Sequence, residues 1–334
     1  MKRLLATSAI VLSAATFGSA AMAQNIFALV PKNMNNPFFD QARDGCMKAE
    51  AESGGKFKCE YIGPGEHGGG DEQVQIVQDL VARGDVKGIG VSPANAAAMA
   101  VALQAAKDAG IPVITWDSDL LPENQDLRVA YIGTHNYDIG VNIAKLVQEI
   151  KPNGGTICIQ SGGAAAANHN ERMQGIRDTL GGKTGTTSPG EALAGENGWT
   201  EAQGCPLYTD DDFPKSVQQF EDFMAANPDV DAFTPTGGFP QFIPDANRAA
   251  VEPYKGKIAD GSLALVVADT LPIQIDQMKE GFSAGQVGQR PFEMGYKVML
   301  AFEQMAEGGA APEDPTYTGL DVCTPKNVDT CIAQ

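Results

Sequence analysis

Histidine is scarce in this chain of 334 residues: three in all, at His67, His135 and His169. No two share metal-ligand spacing, and none of the six cysteines forms a C-x-x-C pair, which argues against zinc or any other bound metal. Basic residues are also in deficit, with 24 Lys and Arg against 42 Asp and Glu and a net charge of −18. Such a field repels phosphate backbones and anionic lipid surfaces, so nucleic-acid and membrane-surface roles are disfavoured. Long apolar runs are missing beyond the first twenty or so positions, and nothing later reaches the length of a membrane span. Catalytic signatures are thin as well. The glycine run 63–70 lacks G-K-[ST] and reads as a plain turn. No strand-to-helix nucleophile elbow is read, and Asp117 and Asp119 stand too close in sequence to set the separation of a glycosidase pair.

What is present begins at the N-terminus. Lys2 and Arg3 precede an apolar stretch, 4–17, which closes on Ala21-Met22-Ala23, the pattern of a cleaved secretion signal. Cleavage before Gln24 removes two basic residues and leaves 22 against 42 acidic, a net charge of −20. An exported product makes disulfides the expected use of the six cysteines. About 15 connectivities are possible. Pairing by neighbours is the simplest: Cys46–Cys59, Cys158–Cys205 and Cys323–Cys331.

Strand and helix patterns alternate along the chain. Strands are expected over 26–31, 56–62, 87–92, 111–116 and 128–132, with helices over 37–53, 71–83 and 95–109 between them. After a boundary near 132–136 the theme returns. Strands are expected at 155–160, 206–209, 232–234 and 263–268. Helices are expected at 137–150, 170–180, 213–227, 243–252, 274–280 and 292–307. The segment 181–198 reads as a surface loop, and the tail from Gly308 as weakly structured apart from a cystine. The rhythm is that of β-α-β units around parallel sheets, giving two similar α/β halves.

An open α/β sheet binds ligands beyond the carboxyl ends of its strands. The first strand delivers Asn35, Asn36, Phe38 and Phe39, with Asn36 as helix cap and Pro37 at the first helical position. The strand ending at Trp116 delivers Asp117. The strand ending at Gln160 leads to Asn168, His169, Asn170 and Arg172, with His169 expected at the rim of the cleft. Others end at Thr236-Gly237-Gly238-Phe239 and at Asp269, while His135 falls at the crossover between halves. Rings, carboxylates, amides and one guanidinium suit a neutral polyhydroxylated ligand: C–H faces lie on rings while hydroxyls are met by acceptors and donors.

With these residues laid out, the chain resembles the periplasmic sugar-binding proteins of the ribose- and galactose-binding type, which serve ABC importers and share a lac-repressor-like core. The resemblance rests on Asn35-Asn36-Pro37-Phe38-Phe39, Gly110-Ile111-Pro112-Val113-Ile114-Thr115-Trp116-Asp117, Arg172-Met173-Gln174-Gly175-Ile176 and Val267-Ala268-Asp269. It implies two doubly wound parallel-sheet lobes joined by a three-crossing hinge, the type I binding-protein fold. The N-lobe would comprise 24–133 plus 290–315, the C-lobe 134–289, and the tail 316–334, with crossings near 133–136, 268–270 and 288–291. Asn36, Phe38, Phe39, Asp117 and a nearby Trp116 would face the ligand from one lobe. Arg172 and Asn168 would meet it from the other, with Asp269 and Gln289 near the hinge. Ser118 stands where ribose binders tend to carry arginine and Ala268 where they carry an aromatic, and Thr236 replaces a frequent amide. The implied protein is a periplasmic monomer without cofactor or catalysis, which delivers a sugar or polyol to membrane permease subunits. The competing readings are a regulator of the same core, a secreted carbohydrate-processing enzyme and a ligand sensor for a membrane receptor.

Overall fold

Apolar β-branched runs flanked by capped helices produce the first lobe of the computed structural model, which describes residues 24–66 and 68–332. The expected secretion signal, 1–23, lies outside the described residues. The first elements are β1 (Asn25–Val30), α1 (Pro37–Glu52), β2 (Phe57–Tyr61), α2 (Asp71–Arg83), β3 (Val86–Val91), α3 (Ala96–Asp108), β4 (Val113–Trp116) and β5 (Ala130–Gly133). A second series follows: α4 (Asn136–Ile150), β6 (Gly155–Ser161), α5 (Ala167–Gly181), β7 (Trp199–Glu201), β8 (Leu207–Tyr208), α6 (Phe213–Ala226) and β9 (Ala232–Pro235). It continues through α7 (Pro244–Val251), α8 (Lys255–Ala259), β10 (Ala264–Ala268), α9 (Pro272–Lys279) and β11 (Gly285–Gly288). The chain closes with α10 (Pro291–Ala306), β12 (Thr316–Tyr317) and β13 (Asp321–Cys323).

The N-lobe sheet runs β12-β5-β4-β3-β1-β2 and the C-lobe sheet β13-β11-β10-β9-β6-β7, with β8 paired to β6. Both follow one doubly wound order, in which β6 corresponds to β1, β9 to β3 and β10 to β4. All described pairs are parallel except β11 with β13. Helices bury apolar stripes on both faces, as parallel sheets require. Gly140 of α4 and Gly175 of α5 let those helices nearly touch: a methyl at Gly140 would overlap the carbonyl of Arg172. That contact fixes where the start of α5 sits.

The hinge corrects one expectation. β10 and β11 are neighbours in the C-lobe sheet, so the chain does not cross at 268–270. It crosses at 134–135, between β5 and α4, and at 289–290, between β11 and α10. The third crossing is at 318–320. β12 pairs with β5 of the N-lobe, and β13 then pairs with β11 of the C-lobe. The tail expected to be weakly structured thus supplies a strand to each sheet. Strand β7 also emerges directly after the 181–198 segment, where no strand is read from the sequence.

All three neighbour pairings are present: Cys46–Cys59, Cys158–Cys205 and Cys323–Cys331. Cys205 precedes β8 rather than lying on it. The Cys158–Cys205 bridge spans 47 positions. A loop of that length confers about 4 kcal/mol in the chain-entropy account. Urea unfolding of the Cys158→Ala/Cys205→Ala variant should show a loss near that size, whereas a change under about 1 kcal/mol would contradict the entropic account.

Candidate ligand-binding site between the lobes

The first wall grows from the turn after β1. Asn36 caps α1 by accepting the Phe38 N–H at 2.9 Å, and Pro37 occupies the first helical position. This start aims Phe38 and Phe39 into the interlobe space, edge to face with centroids 5.3 Å apart. Opposite them, Phe239 and Phe242 come from the segment after β9. One cavity is lined by Asn36, Phe38, Phe39, Asp117, Asn168, Arg172, Asp269 and Gln289, together with Lys32, His169, Asp211, Gly237, Phe239 and Phe242. Eight of the nine expected ligand residues therefore converge. Trp116 does not: it is wholly buried behind Phe39, with ring centroids 5.6 Å apart.

Two carboxylates face each other at equivalent places. Asp117 follows β4 and Asp269 follows β10, with φ of 59° and 72°. Left-handed backbone is tolerated by aspartate better than by most side chains, at a cost of roughly 1–3 kcal/mol. Ser92 Oγ donates to Asp117 at 2.7 Å, and Asn168 Nδ2 donates at 3.3 Å. Lys32 Nζ and Arg172 Nη2 approach the same carboxylate at 3.8 and 3.6 Å. Asp269 accepts from the Gly238 N–H at 3.0 Å and from Gln289 Nε2 at 2.8 Å. Burial pushes its carboxyl above the ordinary range, and Arg172, Gln289 and Gly238 offset this in part. Gln289 Oε1 is a buried acceptor with no hydrogen-bond partner among the described residues.

Arg172 is held on three sides. Its Nε and Nη2 donate to Asn136 Oδ1 at 2.9 and 2.8 Å, and Nη1 donates to the Thr236 carbonyl at 2.8 Å. Asn136 Nδ2 donates in turn to the Asp117 carbonyl at 2.9 Å, so the first crossing is tied to both walls. Thr236 supports the site from behind. His169 is not at the rim but buried, with burial foremost holding its pKa down at about 4. It is neutral at pH 7, so the 3.4 Å approach of Nε2 to Asp211 is dipolar rather than an ion pair. A carboxylate only accepts, which places the proton on Nε2 and leaves Nδ1 to accept from Thr236 Oγ1 at 3.0 Å.

Lys32 escapes the sequence reading. It is 2% exposed and donates to Asn168 Oδ1 across the cleft at 2.9 Å. Catalytic alternatives find no geometry. Asp119 turns away from Asp117, held by Arg128 at 2.7 Å and by Thr115 Oγ1 at 2.6 Å. Gly281-Phe282-Ser283-Ala284-Gly285 does carry the letters G-x-S-x-G, but it leads from α9 into β11, the reverse of an elbow, and Ser283 is buried. Gly63, Gly65 and Gly68 likewise match dinucleotide spacing, yet β3 ends at Val91, is followed by Ser92 and offers no acid for a ribose.

The sequence profile of the periplasmic binding protein domain matches residues 27–310. The chain belongs to that family. It is a solute-binding protein of the type I fold, not an enzyme. This binding protein is 25% identical over 308 residues to the ribose import binding protein RbsB of Salmonella typhimurium, covering 92% of this chain and 94% of the relative. Among solved structures, a Burkholderia graminis ABC transporter solute-binding protein in complex with D-arabinose superposes with a TM-score of 0.77. It is 26% identical, covering 93% of this chain and 98% of that one. GanP, a glucose-galactose binding protein of Geobacillus stearothermophilus, gives a TM-score of 0.76 at 25% identity, over 92% of this chain and 99% of its own.

Proposed function

We propose that this protein captures a monosaccharide or polyol between its lobes by hinge closure and delivers it to an ABC importer. The observation that carries the reading is the cavity itself: rings from both lobes, with Asp117 and Asp269 at corresponding strand ends. Rings give a flat apolar ligand face its packing, while each carboxylate accepts hydroxyl protons in bonds worth roughly 1.5–3 kcal/mol. Asn36, Arg172, Gln289 and Lys32 supply the remaining polar contacts. Phe38, Asp117 and Arg172 are 4%, 2% and 1% exposed, so a ligand reaches them only if the lobes part. Ligand that contacts both walls then favours the closed state by its differential affinity. Relatives that bind ribose, arabinose, glucose and galactose support the ligand class. Residues 1–23 as an export signal, a periplasmic location, a monomeric state and recognition of the closed form by membrane permease subunits belong to the same reading.

A thermal-shift screen over pentoses, hexoses, deoxysugars, amino sugars and polyols tests it. One member should bind with micromolar affinity or better, about −8 kcal/mol. At a hundredfold excess over Kd it should add roughly 2.7 kcal/mol of stability. No stabilisation by any member would sink the sugar reading.

A further inference from the structure

Helix α5 meets the end of β4 along one face. Asn168 and Arg172 approach Asp117, and the Asn168 N–H reaches Ser118 Oγ at 3.5 Å. Glu171 lies between those two positions on α5, and Asp119 two residues beyond Asp117 on the other lobe. Both line a second interlobe cavity of about 770 Å³, beside the first crossing. Closing the lobes brings Arg172 to Asp117, so the same motion brings Glu171 towards Asp119.

The groups around Glu171 leave its charge uncompensated. Asp119 faces it from the N-lobe, Tyr131 from β5 and Tyr317 from β12, with Arg172 on its own helix. Arg128, the cation across the cavity, is already shared between Asp119 and Asp314 at 2.7 Å each. His135 is spent on Asp138 at 2.9 Å. Among the described residues Glu171 has no hydrogen-bond or ion-pair partner.

We propose that Glu171 and Asp119 form a proton-sensitive pair across the hinge: charged together they oppose closure, and a proton taken up on closing strengthens ligand capture. This rests on the closure reading given above. Burial first, then Asp119, raise the Glu171 carboxyl to about 7 in the closed form, and Arg172 offsets this in part. Parting the lobes removes Asp119 and the N-lobe cover, returning the group towards its ordinary 4.5. The closed state therefore holds the proton more tightly. Through this pair affinity rises as pH falls through 7, and the gain levels off near the open-state value. In the ligand cleft burial also raises Asp269 and holds His169 down at about 4, the latter opposing capture as pH falls, so the test must isolate Glu171, which lies outside that cleft.

The experiment is titration calorimetry with the sugar found in the screen, at about pH 8 and pH 6, on the wild type, Glu171→Gln and Glu171→Ala. Linkage through Glu171 over that interval favours binding at the lower pH by up to about tenfold, and His169 works in the opposite direction in wild type and variants alike. Both variants should lose the strengthening due to Glu171, so that the wild-type advantage over them is up to about tenfold larger at pH 6 than at pH 8, and should take up no proton attributable to this site. Variants that keep the wild-type pH ratio would overturn the pair while leaving sugar capture intact. No sugar bound at either pH would overturn both.

Discussion

Arg172→Ala should abolish ligand binding and also destabilise the unliganded protein. The guanidinium is 1% exposed and bonded to Asn136 Oδ1 and the Thr236 carbonyl, with Asp117 at 3.6 Å. Truncation leaves a buried amide oxygen and a buried carbonyl without a donor. Among the described residues it also leaves Asp117 with only Lys32 as an ion-pair partner, at 3.8 Å. Breaking one side of a buried pair costs roughly 3–5 kcal/mol, a large part of the stability of an ordinary domain. A vanished thermal shift in this variant would therefore mix a lost contact with a weakened fold. Arg172→Lys separates the two, because it keeps the charge and loses the fork that grips Asn136 and Thr236 together. Urea unfolding should place Arg172→Lys between the wild type and Arg172→Ala. Calorimetry should show ligand affinity at least about a hundredfold weaker, the equivalent of roughly 2.8 kcal/mol. Full stability in Arg172→Ala would show that the network around Asn136 does not hold the hinge.

Residues buried by the fold were more legible than residues recruited by the hinge. β1 and β10 are continuous apolar runs because helices cover both faces of their sheets, and such runs announce themselves. Asn36-Pro37 marks a helix start by its own chemistry, and that start necessarily carries Phe38 and Phe39 to the strand end. Trp116 misleads for a related reason. Successive strand side chains alternate between faces, and Trp116 packs with Phe39 in the core under α1 and α10. The cleft receives Asp117, one residue beyond the strand. β12 and β13 are two and three residues long, too short to show a period. The third crossing and the true role of the tail therefore left no pattern to read. Lys32 was missed because an isolated lysine after a strand has the composition of surface. In the folded protein it is buried and bonded to Asn168 of the opposite lobe.

That approach makes Lys32→Met the cleanest probe of closure. The 2.9 Å bond from Lys32 Nζ to Asn168 Oδ1 joins one lobe to the other, so it exists only while the cleft is shut. A hydrogen bond to a charged donor contributes roughly 1.5–3 kcal/mol, and here the whole of it favours the closed state. Opposing this is desolvation, since closure takes the ammonium out of water, with Asp117 no closer than 3.8 Å. Methionine removes both effects while filling similar space. It also removes a donor from the wall the ligand must touch, and that loss has no compensation. Ligand affinity should fall roughly tenfold to a hundredfold. The melting temperature of the unliganded protein should stay within about 2 °C, because an open cleft returns Lys32 to solvent. The contrast with Arg172→Ala is the decisive feature: one variant loses affinity with its fold intact, the other loses both. If Lys32→Met binds as tightly as the wild type, the cross-cleft bond contributes nothing net, and closure is driven by the ligand and the remaining cross-lobe contacts, among them those of Asp117 with Arg172 and Asn168.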